Sequence, residues 1–461
     1  MANSKSISPI DEITSCFFHN LGEQIQSGDR LVIALSGGVD SVVLLHLLTK
    51  FSQSQSVQID VSAIHVEHGI SAHSSQWSTF CQTLCNRAAI PLTIHRLKIS
   101  KQPQESLEAV AREARYKIFR QIQADYILLA HHLDDQVETL MLQLLRGAGV
   151  KGLSAMPIVR LFEPGKTLKL LRPLLNIPRS EILKYAQLHN LSWITDESNQ
   201  DISYDRNFLR HQIFPALEQR YPAYRKTLSR STRHLGEAAY LLDELAKTDI
   251  ENTMYSGKLS LRGLRKLDFV RAKNLLRYLL AQQTVRLPSS VKLEEILRQL
   301  RNIQNDNQFR FVIDTLEIRC HRGLIEFLAS NFSSESISPV IWHGEQYLTL
   351  EPLKGVLEFT RHNNAGIDLA KLDQSIVTIR SRSGGERFQP DCKRPQRSLK
   401  KILQEAAIPP WERRTLPLLF CEDQLVWVAG IGIDCNFQTS EGSTGLVITW
   451  HPNQIDQPST H

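Results

Sequence analysis

Ser36-Gly37-Gly38-Val39-Asp40-Ser41 brings two hydroxyls, two glycines and a carboxylate together in six residues. Paired glycines let a backbone come close to a ligand, and N–H groups at a helix start point at negative charge. A nucleotide phosphate is the ligand such a loop suits. It is not a Walker A loop, since it lacks the Gly-Lys-Ser/Thr ending and any lysine to reach a terminal phosphate. A second cluster is Ala130-His131-His132-Leu133-Asp134-Asp135-Gln136-Val137-Glu138-Thr139. Its acids open a helix, where the dipole stabilises negative charge. Asp135 and Glu138 are three apart, share a face, and can hold an ammonium group or a metal. Plain N-capping acids beside loop histidines are the alternative, and the spacing lacks the pattern of a zinc helix.

Both clusters need strands to position them. The apolar run Leu31–Leu35 precedes the loop, and Val42–Leu48 continues as a helix. Further strands are predicted at Val61–Val66, Leu92–Leu97 and Tyr126–Ala130, with helices near 74–89, near 105–122 and from Leu133. Strands alternating with helices of this length indicate a parallel α/β sheet, whose ligands bind at the carboxyl ends of the strands. The loop at 36–41, His65-Val66-Glu67-His68-Gly69 and the 130–139 cluster each follow a strand, so all three are expected to converge on one crevice.

Beyond about residue 215 the pattern turns helical and basic; Lys226, Arg230 and Arg233 share a helix face, and a second basic helical stretch spans 262–281. Short strands follow at 308–313, 316–320 and 324–328, then a Ser/Asn-rich linker at Ser330–Ser338. A shorter-stranded piece occupies 340–450, and the polar tail runs from Asn453 to His461. The expected division is an N-terminal domain at 1–215, a mainly helical middle domain at 216–332 and a small α+β C-terminal domain at 340–450. A net charge of +6 favours an anionic partner without requiring one. Seven scattered cysteines suggest no disulfide framework and suit a reducing compartment. No apolar run approaches the roughly 20 residues of a membrane helix, so a cytoplasmic protein without membrane contact is expected.

The loop at 36–41 resembles the SGGxDS loop of the PP-loop ATP pyrophosphatases (adenine nucleotide alpha hydrolase-like fold), which cleave ATP between the α and β phosphates. The resemblance narrows further to the tRNA-isoleucine lysidine synthetase family. It rests on the loop, His-Val-Glu-His-Gly at 65–69, Ala111–Tyr116, the run at 130–139, Arg146–Gly149, Gly152–Met156 and Arg172–Leu175. Asp196–Asn199, Asp205-Arg206-Asn207-Phe208-Leu209-Arg210, Arg382–Arg387 and Leu399–Leu403 extend it. Glu67 departs from the family's commoner Asp but keeps the charge.

That resemblance implies ATP and Mg²⁺ as cofactors, with CAU-anticodon tRNA(Ile) and free L-lysine as partners; whether two chains pair is left open. ATP adenylates the wobble cytidine at its C2 oxygen, and the lysine amine then displaces AMP. The implied nucleotide residues are Ser36, Gly37, Gly38, Val39, Asp40, Ser41, His65 and His132, with Asp40 holding Mg²⁺. Asp135 and Glu138 would bind the ammonium group and take its proton. Asp40 and Arg206 complete the catalytic set, and Arg112, Arg115 and Asn207 would hold phosphate or tRNA backbone. Lys226, Arg230 and Arg233 form one tRNA-tracking surface; Arg387, Lys400 and Lys401 belong to a second, in the basic segment 380–401.

The rival readings are a tRNA thiolase or another PP-loop ATP ligase, and a non-catalytic RNA-binding protein. A thiolase would need accessible sulfur carriers, and only Cys81 and Cys85 lie close together, on a predicted helix. A disabled fold would have lost the loop carboxylate or the acids at 134–138, and all are present.

Overall fold

A strand as uniformly apolar as Leu31-Val32-Ile33 needs cover on both faces. The computed structural model of the protein supplies that cover; it describes residues 9–54, 58–67, 69, 73–97, 107–163, 166–283, 287–304, 309–329, 337–372 and 375–452. His68, the expected tail from Asn453 and all but the last two residues of the expected linker lie outside the described residues. The chain divides into two compact units, 1–249 with 277–284, and 250–276 with 285–461.

In the first unit the order is α1 (Pro9–Gly22), β1 (Arg30–Ala34), α2 (Val39–Gln53), β2 (Asp60–Glu67), α3 (Ser74–Arg87), β3 (Leu92–Arg96) and α4 (Leu107–Phe119). It continues with β4 (Tyr126–Leu128), α5 (Leu133–Leu145), α6 (Val150–Leu153), β5 (Val159–Leu161), β6 (Lys169–Leu171) and α7 (Arg179–Leu188). After α8 (Asp205–Phe208) come a π-helical turn at Leu209–Ile213, α9 (Phe214–Arg220) and the long α10 (Tyr224–Thr253). The sheet order is β3-β2-β1-β4-β6-β5, parallel except for the β5–β6 pair. Successive residues face opposite sides. Leu31, Ile33 and Leu128 pack with Phe17, Leu44, Leu47 and Tyr185, whereas Val32, Ile64, Ile127 and Leu170 pack with Ile118 and Phe119.

The predicted strands and helices of this unit appear close to their expected bounds. The antiparallel β5–β6 pair has no counterpart in the sequence reading, because three-residue strands are too short to show a period. The stretch 262–281 is two helices, Leu261–Lys266 and Phe269–Gln282. Asp268 breaks it by accepting hydrogen bonds from the amides of Val270 and Arg271, each at 2.9 Å.

In the second unit, strands Lys258–Ser260, Leu324–Ala329, Leu316–His321 and Phe309–Ile313 are antiparallel neighbours in that order, alongside the helices. The C-terminal part holds a five-stranded and a four-stranded sheet with one shared core, including Leu357, Phe359, Ile379, Leu419 and Trp427. Helix Leu399–Glu405 packs through Leu399, Ile402 and Leu403 onto Leu418 and Val428. One correction concerns the cysteines: Cys392 and Cys435 are disulfide-bonded, with Cα atoms 5.3 Å apart. The two lie 43 residues apart in sequence, so nothing local reveals their pairing. Among the described residues, no helix is long and apolar enough to cross a membrane.

Leu44 is fully buried between the sheet and its covering helices. Leu44→Ala should therefore lower the free energy of unfolding by about 2–5 kcal/mol, read from urea unfolding of the full chain.

Candidate active site

From β1 the chain builds β2 and β3 to one side, and β4 then pairs on the other. That reversal opens a crevice at the carboxyl ends of β1 and β4, which is where open α/β sheets bind ligands. The glycine loop leaves β1 there, and His131, His132 and the α5 acids leave β4.

The loop is held from within. Ser41 is buried; its hydroxyl donates to Gly38 O at 2.9 Å and accepts from the amides of Gly37 at 3.1 Å and Ser36 at 3.3 Å. Ser36 Oγ lies 3.1 Å from Ser41 Oγ and accepts from the Gly38 amide at 3.4 Å. Gly37 has φ +87°, and a Cβ there would stand 2.9 Å from Ile194 Cδ1 and 3.3 Å from Cys81 Sγ. Only glycine fits. Of the expected phosphate cradle, Ser36, Gly38 and Asp40 line a cavity of about 740 Å³, while Gly37, buried Val39 and Ser41 shape the loop behind it. His65, also on the cavity wall, is fixed by donating from Nδ1 to Leu35 O at 2.8 Å.

Asp40 lies in the first turn of α2, and its Oδ1 is buried without a hydrogen-bond partner, 3.9 Å from Arg179 Nε. Burial pushes this carboxyl above its ordinary range, against the pull of His132 and Arg179. An unsatisfied buried carboxylate oxygen facing a phosphate loop fits Mg²⁺.

His132 joins Asp40 to α5. Its Nε2 lies 3.8 Å from Asp40 Oδ2 and 3.4 Å from Asp135 Oδ2. His132 is also the N-cap of α5, in a reciprocal box: its amide donates to Asp135 Oδ2 at 3.0 Å, and its Nδ1 accepts from the Asp135 amide at 3.4 Å. The capping and site readings of Asp135 therefore both hold. Burial opposes ionisation of Asp135, but His132 and the capping amide hold it below the usual carboxylate range. Burial drives His131 down to about 3, so its imidazole is neutral.

Glu138 is 1% exposed, and its partner is Arg210. Arg210 Nε pairs with Glu138 Oε1, and Arg210 Nη2 donates to Glu138 Oε2 at 2.9 Å and Asp135 Oδ1 at 3.2 Å. Burial still leaves Glu138 above its ordinary range despite the guanidinium. The third acid, Asp134, is used structurally: it accepts from Arg225 Nε at 2.6 Å and from the Arg179 amide at 2.9 Å.

Arg115, Arg206 and Asn207 line the same cavity as the loop, and Asn207 is anchored by donating to Asp201 O at 2.9 Å. Arg112 is exposed outside that wall, its guanidinium 5.2 Å from the Tyr116 ring centroid. Lys226, Arg230 and Arg233 line a different, larger cavity of about 1810 Å³, together with Lys151 and Arg225. Leu133 and Gln136 of α5 line the larger cavity, and Arg210 lines the smaller.

In the second unit, Arg387, Lys400 and Lys401 are exposed. Arg387 donates to the side chain and carbonyl of Gln396 at 3.2 and 3.1 Å. Glu386 folds the neighbouring turn by accepting from the amides of Ser383 and Gly384 at 2.7 and 2.6 Å.

Sequence reasoning placed Arg210 in a motif but gave it no role, and it overlooked Arg179 and the cavity-lining Trp77. An acid as buried as Glu138 demands a cation, but its burial is decided by the fold and leaves no mark in the sequence.

Comparison with known proteins follows the same outline. Family models match at residues 11–217 (PP-loop domain), 259–325 (TilS substrate binding domain) and 377–450 (TilS substrate C-terminal domain). The tRNA(Ile)-lysidine synthase of Nitrosomonas europaea is 75% identical over 461 residues, covering 100% of both chains. That of Coxiella burnetii is 38% identical over 431 residues, covering 93% of this chain and 94% of its own. That of an Azoarcus species is 36% identical over 440 residues, covering 95% of each.

Gly37→Ala should weaken ATP binding at least about tenfold, measured by equilibrium dialysis, because the loop must shift to admit the methyl group. Unchanged affinity would mean that the loop does not set the nucleotide's position.

Proposed function

Because this chain belongs to the tRNA(Ile)-lysidine synthase family, we propose that it ligates lysine to C2 of the wobble cytidine of CAU-anticodon tRNA(Ile) in the cytoplasm, forming lysidine, AMP and pyrophosphate. The product switches decoding to AUA and identity to isoleucine. The observation that carries this reading is the joining of a phosphate-cradling loop to an acid pair through one histidine, His132, at the sheet's switch point.

In the first step the cytosine C2 oxygen attacks the α-phosphorus of ATP, the bond to the β-phosphate oxygen breaks, and pyrophosphate leaves. Ser36, Gly38 and the start of α2 hold the departing phosphates, and Arg115 and Arg206 add positive charge on the same cavity wall. Asp40 would be the chain's ligand for Mg²⁺, which when bound neutralises phosphate charge.

In the second step the lysine side-chain amine attacks C2, and the C2–O bond breaks to release AMP. Free lysine is an ammonium at neutral pH, so it must be bound as a cation and then lose a proton. Asp135 and Glu138 offer the paired carboxylates for both tasks. Asn207 fixes the turn that carries Arg206. Lys226, Arg230 and Arg233 in the first unit, and Arg387, Lys400 and Lys401 in the second, contact tRNA phosphates, with the latter group on the acceptor stem. Under this reading, residues 1–215, 216–332 and 340–450 are the catalytic, middle tRNA-binding and C-terminal tRNA-binding domains.

Sulfur transfer fits less well. Cys81 and Cys85 are fully buried, and burial pushes their thiols up to about 12 and about 11, so neither supplies a thiolate.

The test is incubation with ATP, Mg²⁺, radiolabelled lysine and unmodified CAU-anticodon tRNA(Ile), followed by nuclease digestion. Label is expected in a modified cytidine, dependent on ATP and lost in Asp40→Ala. Protein that binds ATP and tRNA but incorporates no lysine would overturn the assignment.

A further inference from the structure

Glu138 and Asp135 place two carboxyl groups on one face of the first turns of α5, both almost completely buried. Two like charges in such a site repel, and one of them would take up a proton unless a cation sat between them. Arg210 is that cation. It reaches both acids at once, with Nε and Nη2 on Glu138 and Nη2 also 3.2 Å from Asp135 Oδ1.

The backbone is built to deliver it. Arg210 is the second residue of the π-helical turn Leu209–Ile213, inserted between α8 and α9. Leu209 and Phe214, on either side of Arg210, are buried against Val137 of α5, which clamps the turn to the helix bearing the acids. Single π turns within helices recur at functional sites.

We propose that Arg210 is a positioning residue for the lysine substrate: it bridges Glu138 and Asp135, holds both as carboxylates in one geometry, and leaves the cluster with a single net negative charge for one incoming ammonium group. The inference rests on the lysine-ligation reading above. Arg210 does not touch the reacting atoms; it acts through the acids. Its counter-charge leaves the site able to bind one amine cation and poorly suited to a neutral or acidic side chain.

A pH signature follows. Glu138 is faced by Arg210 from the π turn, Arg206 from α8, Asp135 from its own helix and Tyr224 from α10. Burial already raises its carboxyl, and Arg210 is the main force opposing that rise. Without the guanidinium the carboxyl moves further up. Glu138 then binds a proton as pH falls, and the ammonium meets a neutral acid.

The experiment measures lysine KM and kcat from pH 6 to 8, and separately pyrophosphate release without lysine, for full-length wild type, Arg210→Gln, Arg210→Lys and Arg210→Gln/Glu138→Gln. In Arg210→Gln, lysine KM should rise about tenfold or more at pH 7 and climb further as pH falls, with pyrophosphate release reduced less than about threefold. Arg210→Lys should recover most of the lysine affinity and flatten the profile. The double variant should keep a high KM but lose the pH trend, since the titrating group is gone. An unchanged lysine KM in Arg210→Gln overturns the proposal. So does a pH trend that persists in the double variant, or a loss of pyrophosphate release as large as the loss of ligation. Wild-type protein that incorporates no lysine would instead bring down the ligation reading itself.

Discussion

Strand β1 is hydrogen-bonded on both flanks and buried on both faces, so its carboxyl end is the one place where it can meet a ligand. The rest of the first unit is arranged around that limit. The chain runs outward through β2 and β3, returns to lay β4 on the vacant flank, and so brings two loops to the same crevice. One is the glycine loop, and the other opens α5, the helix of Asp135 and Glu138. The sheet holds them apart and lets His132 connect them.

Burying so many charges has consequences of its own. Each acid at the start of α5 meets a different demand. Asp134 joins α7 and α10 to α5 through Arg179 and Arg225, Asp135 caps its own helix and meets Arg210, and Glu138 is paired with Arg210. Removing one partner from such a pair costs more than the pair contributes, since it strands a charge in a low-dielectric interior. The cluster is therefore a unit, and its members cannot be judged one at a time.

The alternation of strands and helices was legible because β1 to β4 fall in largely apolar runs bounded by turns, and the glycine loop declares itself by residue type. That Asp135 and Glu138 share a face of α5 was legible from spacing alone. Arg210 was not, since 72 residues separate it from Glu138 and no local pattern links them. The basic segment 380–401 was legible by composition, but composition overstates its free charge. Arg382, Arg394 and Arg397 lie 3.3, 3.4 and 2.8 Å from Glu386, Asp391 and Glu405. Lys400 and Lys401 stay exposed. Short pairings such as β5–β6 and the Cys392–Cys435 bond escaped because tertiary proximity decides them.

The π turn at Leu209–Ile213 carries this reasoning into how the sequence can change. An α-helix advances about 100° per residue, so deleting one residue from the turn would restore regular helical bonding and rotate everything beyond it by that angle. The helix would gain regularity, and Arg210 would swing off the acids it serves. Local regularity and the ligand site thus pull on the length of this segment in opposite directions. Substitutions here can be absorbed by packing, but insertions and deletions cannot, so segment length is as much a functional property as any side chain it presents.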